Sequence, residues 1–313
     1  MQVDADQVLL FGGGQRALEF AAAAVLDPGQ RAWMEDPGYA GARQVLLSAG
    51  ASVADVPVDE EGLVVEAGEA AAADARLVYT TPSCQFPLGV TMSQVRRQQL
   101  LAWADRAGAC VVEDDYDAEF RHTGPPVASL AAQSASGRVL YVGSFSRTMF
   151  PAIRLGFLVA PAGLADRLRA ARASMEEQLP SLVQLALADF IAEGHYARHL
   201  RRMRVLYRAR REALLAAAQA AGDRLRVRPT ESGLHVIADL APGADAAAVS
   251  AAAARRGVEA APLSLFCAGV GGPPALVLGF GAVDPARARA AMEDLAAAID
   301  EVAPPPASSR GFD

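Results

Sequence analysis

Gly13, Gly14 and Gln15 stand where a chain can bind an anion without a charged side chain. They follow the short apolar run Gln7 to Phe11 and precede an Ala-rich stretch with helical periodicity. The first backbone N–H groups of a helix are unpaired and carry partial positive charge, which suits a phosphate. A glycine turn before a helix is more often plain chain geometry than a ligand site, so this segment alone does not identify a site.

A run of carboxylates, Glu113 to Asp117, closes a strand-like segment and includes Tyr116. Open α/β folds bind their ligands at the carboxyl ends of their strands, and a carboxylate such as Asp114 would lie there. A solvated acidic loop explains the same residues equally well, and both interpretations stay open at this point.

A second anion-binding candidate lies between residues 144 and 156. It contains the hydroxyls of Ser144 and Ser146 and the guanidiniums of Arg147 and Arg154, followed by a strand-like run. Arginine forms forked contacts with phosphate or carboxylate, so these residue types favour an anionic ligand.

The chain contains no lysine. All 29 of its basic residues are arginine. Any reaction that needs a side-chain primary amine is therefore unavailable to this chain, because a guanidinium stays protonated and does not condense with an aldehyde.

Composition excludes several classes of protein. The 313 residues carry a formal net charge of −7 and contain no block of basic residues, which disfavours nucleic-acid binding. No apolar run is long enough to span a membrane and no signal peptide opens the chain, so we expect a cytoplasmic protein. Three widely spaced cysteines indicate neither a disulfide framework nor a zinc site, and we expect no metal.

Strand and helix patterns alternate through the first two thirds of the chain, which predicts an α/β fold with a mostly parallel sheet and crossover helices. The predicted strands are Gln7–Phe11, Arg31–Met34, Ser52–Pro57, Arg76–Thr80, Cys110–Glu113, Val139–Gly143 and Arg154–Val159. The predicted helices between them are Gln15–Leu26, Tyr39–Ala49, Val65–Ala73 and Ser93–Ala107.

The pattern is helical from Leu164 to about Ala221 and then returns to short strands, which predicts a small α+β domain. We therefore expect a large domain over residues 1–195 and a small one with its connecting helix over 196–302. The Pro- and Ser-rich residues 303–313 have the composition of a disordered tail.

Four ordered segments resemble the aminotransferase-like domain of MocR-type regulators, which belong to the GntR group. They are Glu35–Tyr39, Thr81–Gly89, Val112–Phe120 and Ser144–Gly156, and the similarity extends from about Gln7 to Val283. The resemblance implies a fold-type I, pyridoxal-phosphate-dependent aminotransferase architecture of class I/II. Asp114 and Arg147 are 33 residues apart, which matches that family's spacing between its ring-binding Asp and its Schiff-base Lys.

The resemblance implies a role for each matching position. Gly13, Gly14, Gln15, Ser144, Ser146 and Arg154 would bind the cofactor phosphate. Tyr39 would stack on the pyridine ring, Asp114 would pair with its protonated nitrogen, and Tyr116 would donate to its phenolic oxygen.

The chain also departs from the family pattern, and these departures are as informative as the matches. Arg147 occupies the Schiff-base position, Cys84 replaces a common His near the ring, and Leu276–Leu278 lack an Arg that holds substrate carboxylates in many aminotransferases. The family's winged-helix DNA-binding domain and the segment before the first strand are also missing. We expect Met1 to be an internal start or the chain to be a natural truncation.

We therefore expect no intact catalytic residue and no conventional transamination. The first hypothesis is non-covalent binding of pyridoxal phosphate, or of its aldimine with an amino acid, by a sensing or repurposed protein. The second is a cofactor-free paralogue with a structural or interaction role, and the third is an active aminotransferase inactivated by a Lys-to-Arg substitution at Arg147. The resemblance also implies a homodimer, with neither nucleic acid nor membrane as a partner.

Overall fold

Short apolar strands rich in Val, Leu and Tyr alternate with Ala-rich helices in the computed structural model of the chain, as the period-2 and period-3.6 patterns require. The structure describes residues 1–175, 178–219, 221–228, 230–269 and 271–302. The predicted disordered tail, residues 303–313, lies outside them.

The described residues divide into two units. The first consists of Met1–Arg204 and Glu231–Gly233, and the second of the described residues within Val205–Thr230 and from Leu234 onward. The domain limits that we expected from the sequence, 1–195 and 196–302, stay a prediction.

The first unit is built on one large sheet. Its strands are β1 (Val8–Phe11), β2 (Arg31–Asp36), β3 (Ser52–Asp59), β4 (Gly62–Leu63), β5 (Leu77–Thr80), β6 (Cys110–Asp115), β7 (Val139–Ser144) and β8 (Gly156–Val159). Its helices are α1 (Gly14–Val25), α2 (Ala40–Ser48), α3 (Val65–Ala72), α4 (Gln94–Ala107), α5 (Leu130–Gln133), α6 (Phe145–Thr148), α7 (Ala165–Ala173) and α8 (Ser181–Ala192). Helix α9 (His195–Gln219) contributes residues to both units.

Across the described residues the sheet order is β1-β8-β7-β6-β5-β2-β3-β4. Strands β7, β6, β5, β2 and β3 run parallel, while β8 is antiparallel to both β7 and β1. The carboxyl ends of the parallel strands therefore meet at one edge of the sheet, which is the ligand-binding edge of open α/β folds. The predicted α/β class with a mostly parallel sheet is confirmed.

Two apolar clusters hold the helices against the two faces of this sheet. One surrounds Phe11, Leu18 and Leu140, and the other surrounds Trp33 and Trp103, whose rings stack 3.7 Å apart. Burying both faces of a parallel sheet explains why its strands are continuously apolar rather than alternating.

The second unit contains a small antiparallel sheet with two helices. Its described elements are β9 (Leu225–Arg228), β10 (His235–Leu240), α10 (Ala246–Ala254), β11 (Ala261–Pro262), β12 (Ala275–Gly279) and α11 (Ala288–Val302), with strand order β11-β12-β10-β9. The Asp245 carboxylate accepts from the backbone N–H groups of Ala247 and Ala248 and so caps α10.

Most predicted elements appear within a few residues of their expected ends. The exception with consequences is Arg154, which was predicted to begin a strand: β8 begins at Gly156, and Arg154 has φ 45° in the left-handed region. The short helix α6 was not predicted either, because four residues are too few for a periodic pattern. In the part of the chain that the structure describes, no helix combines the length and apolar character needed to cross a membrane.

Candidate functional site

A cavity of about 420 Å³ opens at the carboxyl edge of the parallel strands in the first unit. Its described lining residues are Gly14, Gln15, Leu18, Tyr39, Tyr79, Thr81, Phe86, Asp114, Tyr116, Ser144, Ser146, Arg147 and Pro151. This size and this mixture of aromatic walls with a few polar groups are typical of a small-molecule site. We call it the edge cavity.

The glycine turn brings the beginning of α1 to the edge cavity. Gly13 has φ 115°, a conformation that favours glycine, and α1 begins at the next residue. A Cβ added at Gly156 would lie 2.5 Å from the backbone nitrogen of Gly14, so only glycine lets β8 approach the turn this closely. The hydroxyls of Ser144 and Ser146 line the same cavity, and the backbone N–H of Ser146 donates to Ser144 Oγ at 3.3 Å.

The side chain of Gln15 supports Tyr39 rather than remaining open to a ligand. Its Nε2 donates to the Gly41 carbonyl at 3.0 Å, and its Oε1 accepts from the Tyr39 hydroxyl at 3.1 Å. Tyr39 lies on the cavity wall with its ring edge-on to Phe86, and the two centroids are 6.1 Å apart. Any contact of Gln15 with an anion would therefore use its backbone N–H.

Asp114 is the carboxylate that β6 presents to the edge cavity. Its Oδ2 accepts from the Tyr79 hydroxyl at 2.8 Å. Burial raises the pKa of Asp114 to about 7, and the nearby carboxylates of Asp115 and Glu35 add to this rise although the Tyr79 hydrogen bond opposes it. A carboxyl group that is only half ionised at neutral pH would gain from a cation or a proton donor placed beside it.

Arg147 is held by a buried partner that the sequence did not indicate. Its Nε donates to Asp117 Oδ1 at 2.9 Å and its Nη2 to Oδ2 at 3.1 Å, in a two-pronged ion pair. Asp117 is fully buried, whereas the Arg147 side chain remains 43% exposed. Burial opposes the charged form, but the pairing with Asp117 outweighs it and raises the pKa of Arg147.

Tyr116 and Cys84 contact each other beside this ion pair. The Tyr116 hydroxyl donates to Cys84 Sγ at 3.5 Å, and the guanidinium carbon of Arg147 lies 5.8 Å from the centre of the Tyr116 ring. Burial, together with the charge of Asp117, raises the pKa of the Cys84 thiol to about 12, so it is a neutral thiol. Cys84 thus supports Tyr116 from behind the cavity wall.

A buried carboxylate, Glu35, positions the loop that carries Thr81. It accepts from the hydroxyls of Thr80 at 2.6 Å and Thr81 at 2.8 Å, and from Gln85 Nε2 at 3.1 Å. Burial nevertheless raises the pKa of Glu35, since it outweighs the four hydrogen bonds that lower it. This network orients the loop from which Phe86 reaches the cavity.

The structure brings most of the predicted site residues together. Those that line the edge cavity are Gly14, Gln15, Tyr39, Asp114, Tyr116, Ser144, Ser146 and Arg147. Among the described residues, Gly13, Cys84 and Arg154 lie outside this lining, and Arg154 is exposed. The roles that the resemblance implies for these residues stay predictions.

Sequence reasoning did not identify Tyr79 and Asp117 as site residues. Tyr79 lies on β5, which pairs with β6, the strand of Asp114. Knowing the register between these two predicted strands would have placed Tyr79 next to Asp114. Asp117 belongs to the acidic run that was singled out, but only the chain turn after β6 shows that it reaches Arg147.

Comparison with known proteins identifies one family. The family model for aminotransferase class I and II matches residues 1–295. The chain is 38% identical over 295 residues to the probable rhizopine catabolism regulatory protein MocR of Rhizobium meliloti, covering 94% of this chain and 59% of that protein. It is 31% identical to the HTH-type pyridoxine biosynthesis transcriptional regulator PdxR of Corynebacterium glutamicum, covering 96% of this chain and 64% of that protein. The chain thus spans about three fifths of the length of these two relatives.

Solved structures show the same fold. A kynurenine aminotransferase of Pyrococcus horikoshii, solved with PMP and kynurenine, superposes with a TM-score of 0.87 at 28% identity, covering 96% of this chain and 76% of that one. LysN, the α-aminoadipate aminotransferase of Thermus thermophilus, was solved with N-(5'-phosphopyridoxyl)-L-leucine. It gives a TM-score of 0.86 at 29% identity, covering 95% and 78% of the two chains.

Proposed function

The chain belongs to the class I and II aminotransferase family, and on that premise we propose that its edge cavity binds pyridoxal phosphate, or that cofactor already joined to an amino acid, without a covalent bond to the protein. The observation that carries the proposal is that the Asp114 carboxyl and the beginning of α1 open on one cavity that contains no lysine. The protein would act as a ligand-binding or sensing module rather than as a conventional transaminase.

The residues of the edge cavity fit this cofactor. The half-ionised carboxyl of Asp114 would gain a partner from a protonated pyridine nitrogen, and the cavity offers Tyr39 as an aromatic wall. The beginning of α1 with Ser144 and Ser146 supplies hydrogen-bond donors suited to a phosphate. When bound, pyridoxal phosphate supplies an electron-withdrawing ring and an aldehyde carbon; the chain supplies binding and orientation.

Arg147 gives the cavity a permanent positive charge and no reactive amine. Because Asp117 pairs with it, its guanidinium stays protonated and has a fixed direction. Such a group can attract the anionic oxygens of a ligand, but it neither accepts a proton nor forms a carbon–nitrogen bond with an aldehyde. Conventional transamination is therefore not expected from this chain.

We expect pyridoxal phosphate to raise the melting temperature of the chain, because a ligand that binds only the folded state stabilises it. Asp114→Asn should weaken binding by at least about tenfold, since it removes the charge that pairs with the ring nitrogen. The matched control is Asp105→Asn, at an exposed position on α4, which should bind as the unmodified protein does. Titration calorimetry measures both affinities.

Borohydride treatment decides whether the cofactor is bound to the protein covalently. After reduction in the presence of the cofactor, mass spectrometry should find the protein at its original mass. A stable increase by the mass of the reduced cofactor, or equal affinity of the Asp114→Asn variant, would refute the proposal.

A cofactor-free role is the second candidate, and one observation favours it. Tyr116 and Arg147, two groups that the family resemblance would aim at a ligand, already have partners in Cys84 and Asp117. If neither pyridoxal phosphate nor pyridoxamine phosphate shifts the melting temperature at about millimolar concentration, this candidate replaces the first.

We further propose that the chain forms a homodimer. Leu182 and Leu185 of α8 are 79% and 64% exposed and lie one helical turn apart, so they form an apolar strip that association would cover. Sedimentation velocity should show a dimer, and Leu182→Asp with Leu185→Asp should convert it to a monomer. The matched control is the pair Gln98→Asp and Ala102→Asp, at exposed positions one turn apart on α4. The cytoplasmic location stays a prediction.

A further inference from the structure

A second cavity, of about 260 Å³, lies in the first unit and shares Ser144 with the edge cavity. Its described lining residues are Asp115, Glu119, Tyr141, Gly143, Ser144, Phe145, Phe157, Ile191 and Tyr196. We call it the acidic cavity. Successive residues of a strand point to opposite faces of a sheet. Asp115 therefore lines this cavity, whereas Asp114 lines the edge cavity.

Aromatic rings form much of the wall of the acidic cavity. Phe145 and Phe157 have centroids 5.4 Å apart, Phe145 and Tyr196 are 5.8 Å apart, and Tyr141 and Phe157 are 6.2 Å apart. The Phe157 ring packs directly on Gly143, where an added Cβ would lie 2.4 Å from Phe157 Cζ. These three contacts join four rings in a row, which gives the cavity a stiff apolar wall.

Asp115 contributes a buried carboxyl group to the wall of this cavity. Its Oδ2 accepts from the Tyr141 hydroxyl at 2.8 Å, whereas its Oδ1 is buried and makes no hydrogen bond of normal geometry within the described residues. The Ala118 N–H lies close enough to lower the pKa of the carboxylate, but the net pKa is raised because burial dominates. No described Arg or His side chain forms an ion pair with this carboxylate, so a ligand with positive charge in the cavity would offset part of the cost of burying its charge.

Glu119 adds a second carboxyl group to the same wall. Burial, the largest cause, and the charges of Asp115 and Asp117 raise its pKa to about 7 although the charge of Arg204 opposes the rise. Arg204 uses its Nε to donate to the Glu119 carbonyl at 2.6 Å. Arg97, whose charge lowers the pKa of Asp115, donates instead to the carbonyls of three other residues. Neither carboxylate forms an ion pair with a described Arg or His side chain.

We propose that the acidic cavity binds an organic ammonium ion, with Asp115 and Glu119 as its counter-charges and Phe145, Phe157 and Tyr196 as its apolar wall. Carboxylates beside aromatic rings are the combination that recognises alkylated ammonium groups. A metal ion fits less well, since no group of three His, Cys, Asp or Glu side chains in the described part of the chain converges as metal ligands do. This site is separate from the proposed cofactor site and does not depend on it.

The test uses choline as the probe and 3,3-dimethylbutan-1-ol, which has the same shape without the charge, as its neutral counterpart. By titration calorimetry on the full chain, choline should bind at least about tenfold more tightly than the neutral alcohol. Glu119→Gln and Asp115→Asn should each reduce choline affinity by about tenfold or more. Phe157→Leu should reduce choline affinity more than affinity for the alcohol, because a leucine keeps the apolar contact without the ring.

Two control variants separate this site from others. Glu60→Gln, at an exposed position, should leave choline affinity unchanged, and Asp114→Asn, whose side chain lines the edge cavity, should reduce choline affinity less than Glu119→Gln does. Affinity should rise about five- to tenfold between about pH 6 and about pH 8, because the ammonium favours the ionised form of Glu119.

Three results would overturn the proposal. The first is equal affinity for choline and the neutral alcohol, or no binding of either at about 50 mM. The second is choline binding that Asp114→Asn abolishes and Glu119→Gln preserves, which would place choline in the edge cavity. The third is unchanged affinity in Glu119→Gln and Phe157→Leu, which decides the case even if Asp115→Asn does not fold.

Discussion

Arg147 occupies the position at which the family resemblance places a reactive lysine, and a buried carboxylate fixes its orientation. Asp117 binds it through two hydrogen bonds and is itself fully buried. An ion pair with one buried member is costly to break, because the remaining charge is left without a partner. Arg147 is therefore a well-supported cation rather than a loose side chain.

This ion pair predicts how the amine of a lysine at position 147 would ionise and react. In Arg147→Lys, Asp117 should stabilise the protonated amine and raise its pKa, so a Schiff base with pyridoxal phosphate should form slowly at neutral pH and faster as the pH rises. In the double variant Arg147→Lys with Asp117→Asn, the same rate should be reached at lower pH. Absorbance of the Schiff base, followed over a pH series, measures the shift.

Arg106→Lys, at an exposed position on α4, is the control for a lysine added elsewhere, and it should form no stable adduct. Identical pH profiles for the single and double variants would show that Asp117 does not raise the pKa of the introduced amine. Transamination in Arg147→Lys with ordinary amino donors would favour the third hypothesis, an enzyme inactivated at this one position.

At the scale of elements, the site depends on how closely β8 approaches the beginning of α1. Gly156 is the first residue of β8 and lies directly against the backbone of Gly13 and Gly14. Any side chain at this position would collide with both glycines. The same strand pairs with β7, whose end at Ser144 lines the cavity. One glycine therefore sets the distance between the helix end and the serine hydroxyls.

Gly156→Ala should lower the free energy of unfolding by about 1 to 3 kcal/mol, the usual cost of forcing extra atoms into a packed interior. It should also weaken binding of pyridoxal phosphate, because β8 must move away from the turn. Urea unfolding and calorimetry measure the two effects. Gly163→Ala is the matched control, since a Cβ there meets nothing within 4 Å, and a loss of stability equal to that of Gly156→Ala would contradict the argument.

At the scale of the whole molecule, burial raises the pKa of several carboxyl groups to near neutral pH. The pKa values of Glu113, Asp114 and Glu119 are each raised to about 7. A carboxyl group with a higher pKa in the folded state binds more protons there than in the unfolded chain, so it contributes stability at low pH that is lost as the pH rises. Asp114 lines the edge cavity and Glu119 lines the acidic cavity, whereas Glu113 accepts from the backbone N–H groups of Leu130 and Ala131.

We therefore expect the melting temperature of the ligand-free protein to fall as the pH rises from about 4.5 through about 7. Asp114→Asn should make this fall shallower, because the amide has no proton to lose, while the exposed Asp105→Asn should leave it unchanged. Pyridoxal phosphate should also make the fall shallower if it places a positive charge beside Asp114. A melting temperature that rises over this range, or an equally steep fall in Asp114→Asn, would show that other groups dominate.

The resemblance to MocR-type regulators is confirmed, as is the fold class it implies. Both were predictable because the alternation of apolar strands and Ala-rich helices is local, and because the motifs around Asp114 and Arg147 keep their order and spacing. Ser93, the first residue of the predicted helix Ser93–Ala107, lies directly before α4 and caps it, since its side chain accepts from the backbone N–H of Arg96.

The sequence by itself determined which chemistry is possible here: with no lysine, no amine of a side chain in this chain can capture an aldehyde. Only the tertiary structure decided what each remaining group contacts. Asp117 reaches Arg147, Tyr79 reaches Asp114, and Asp115 turns to a separate cavity. The physical reason is that composition and periodicity are properties of neighbouring residues, whereas ion pairs and cavities depend on strand register and chain turns that bring distant residues together.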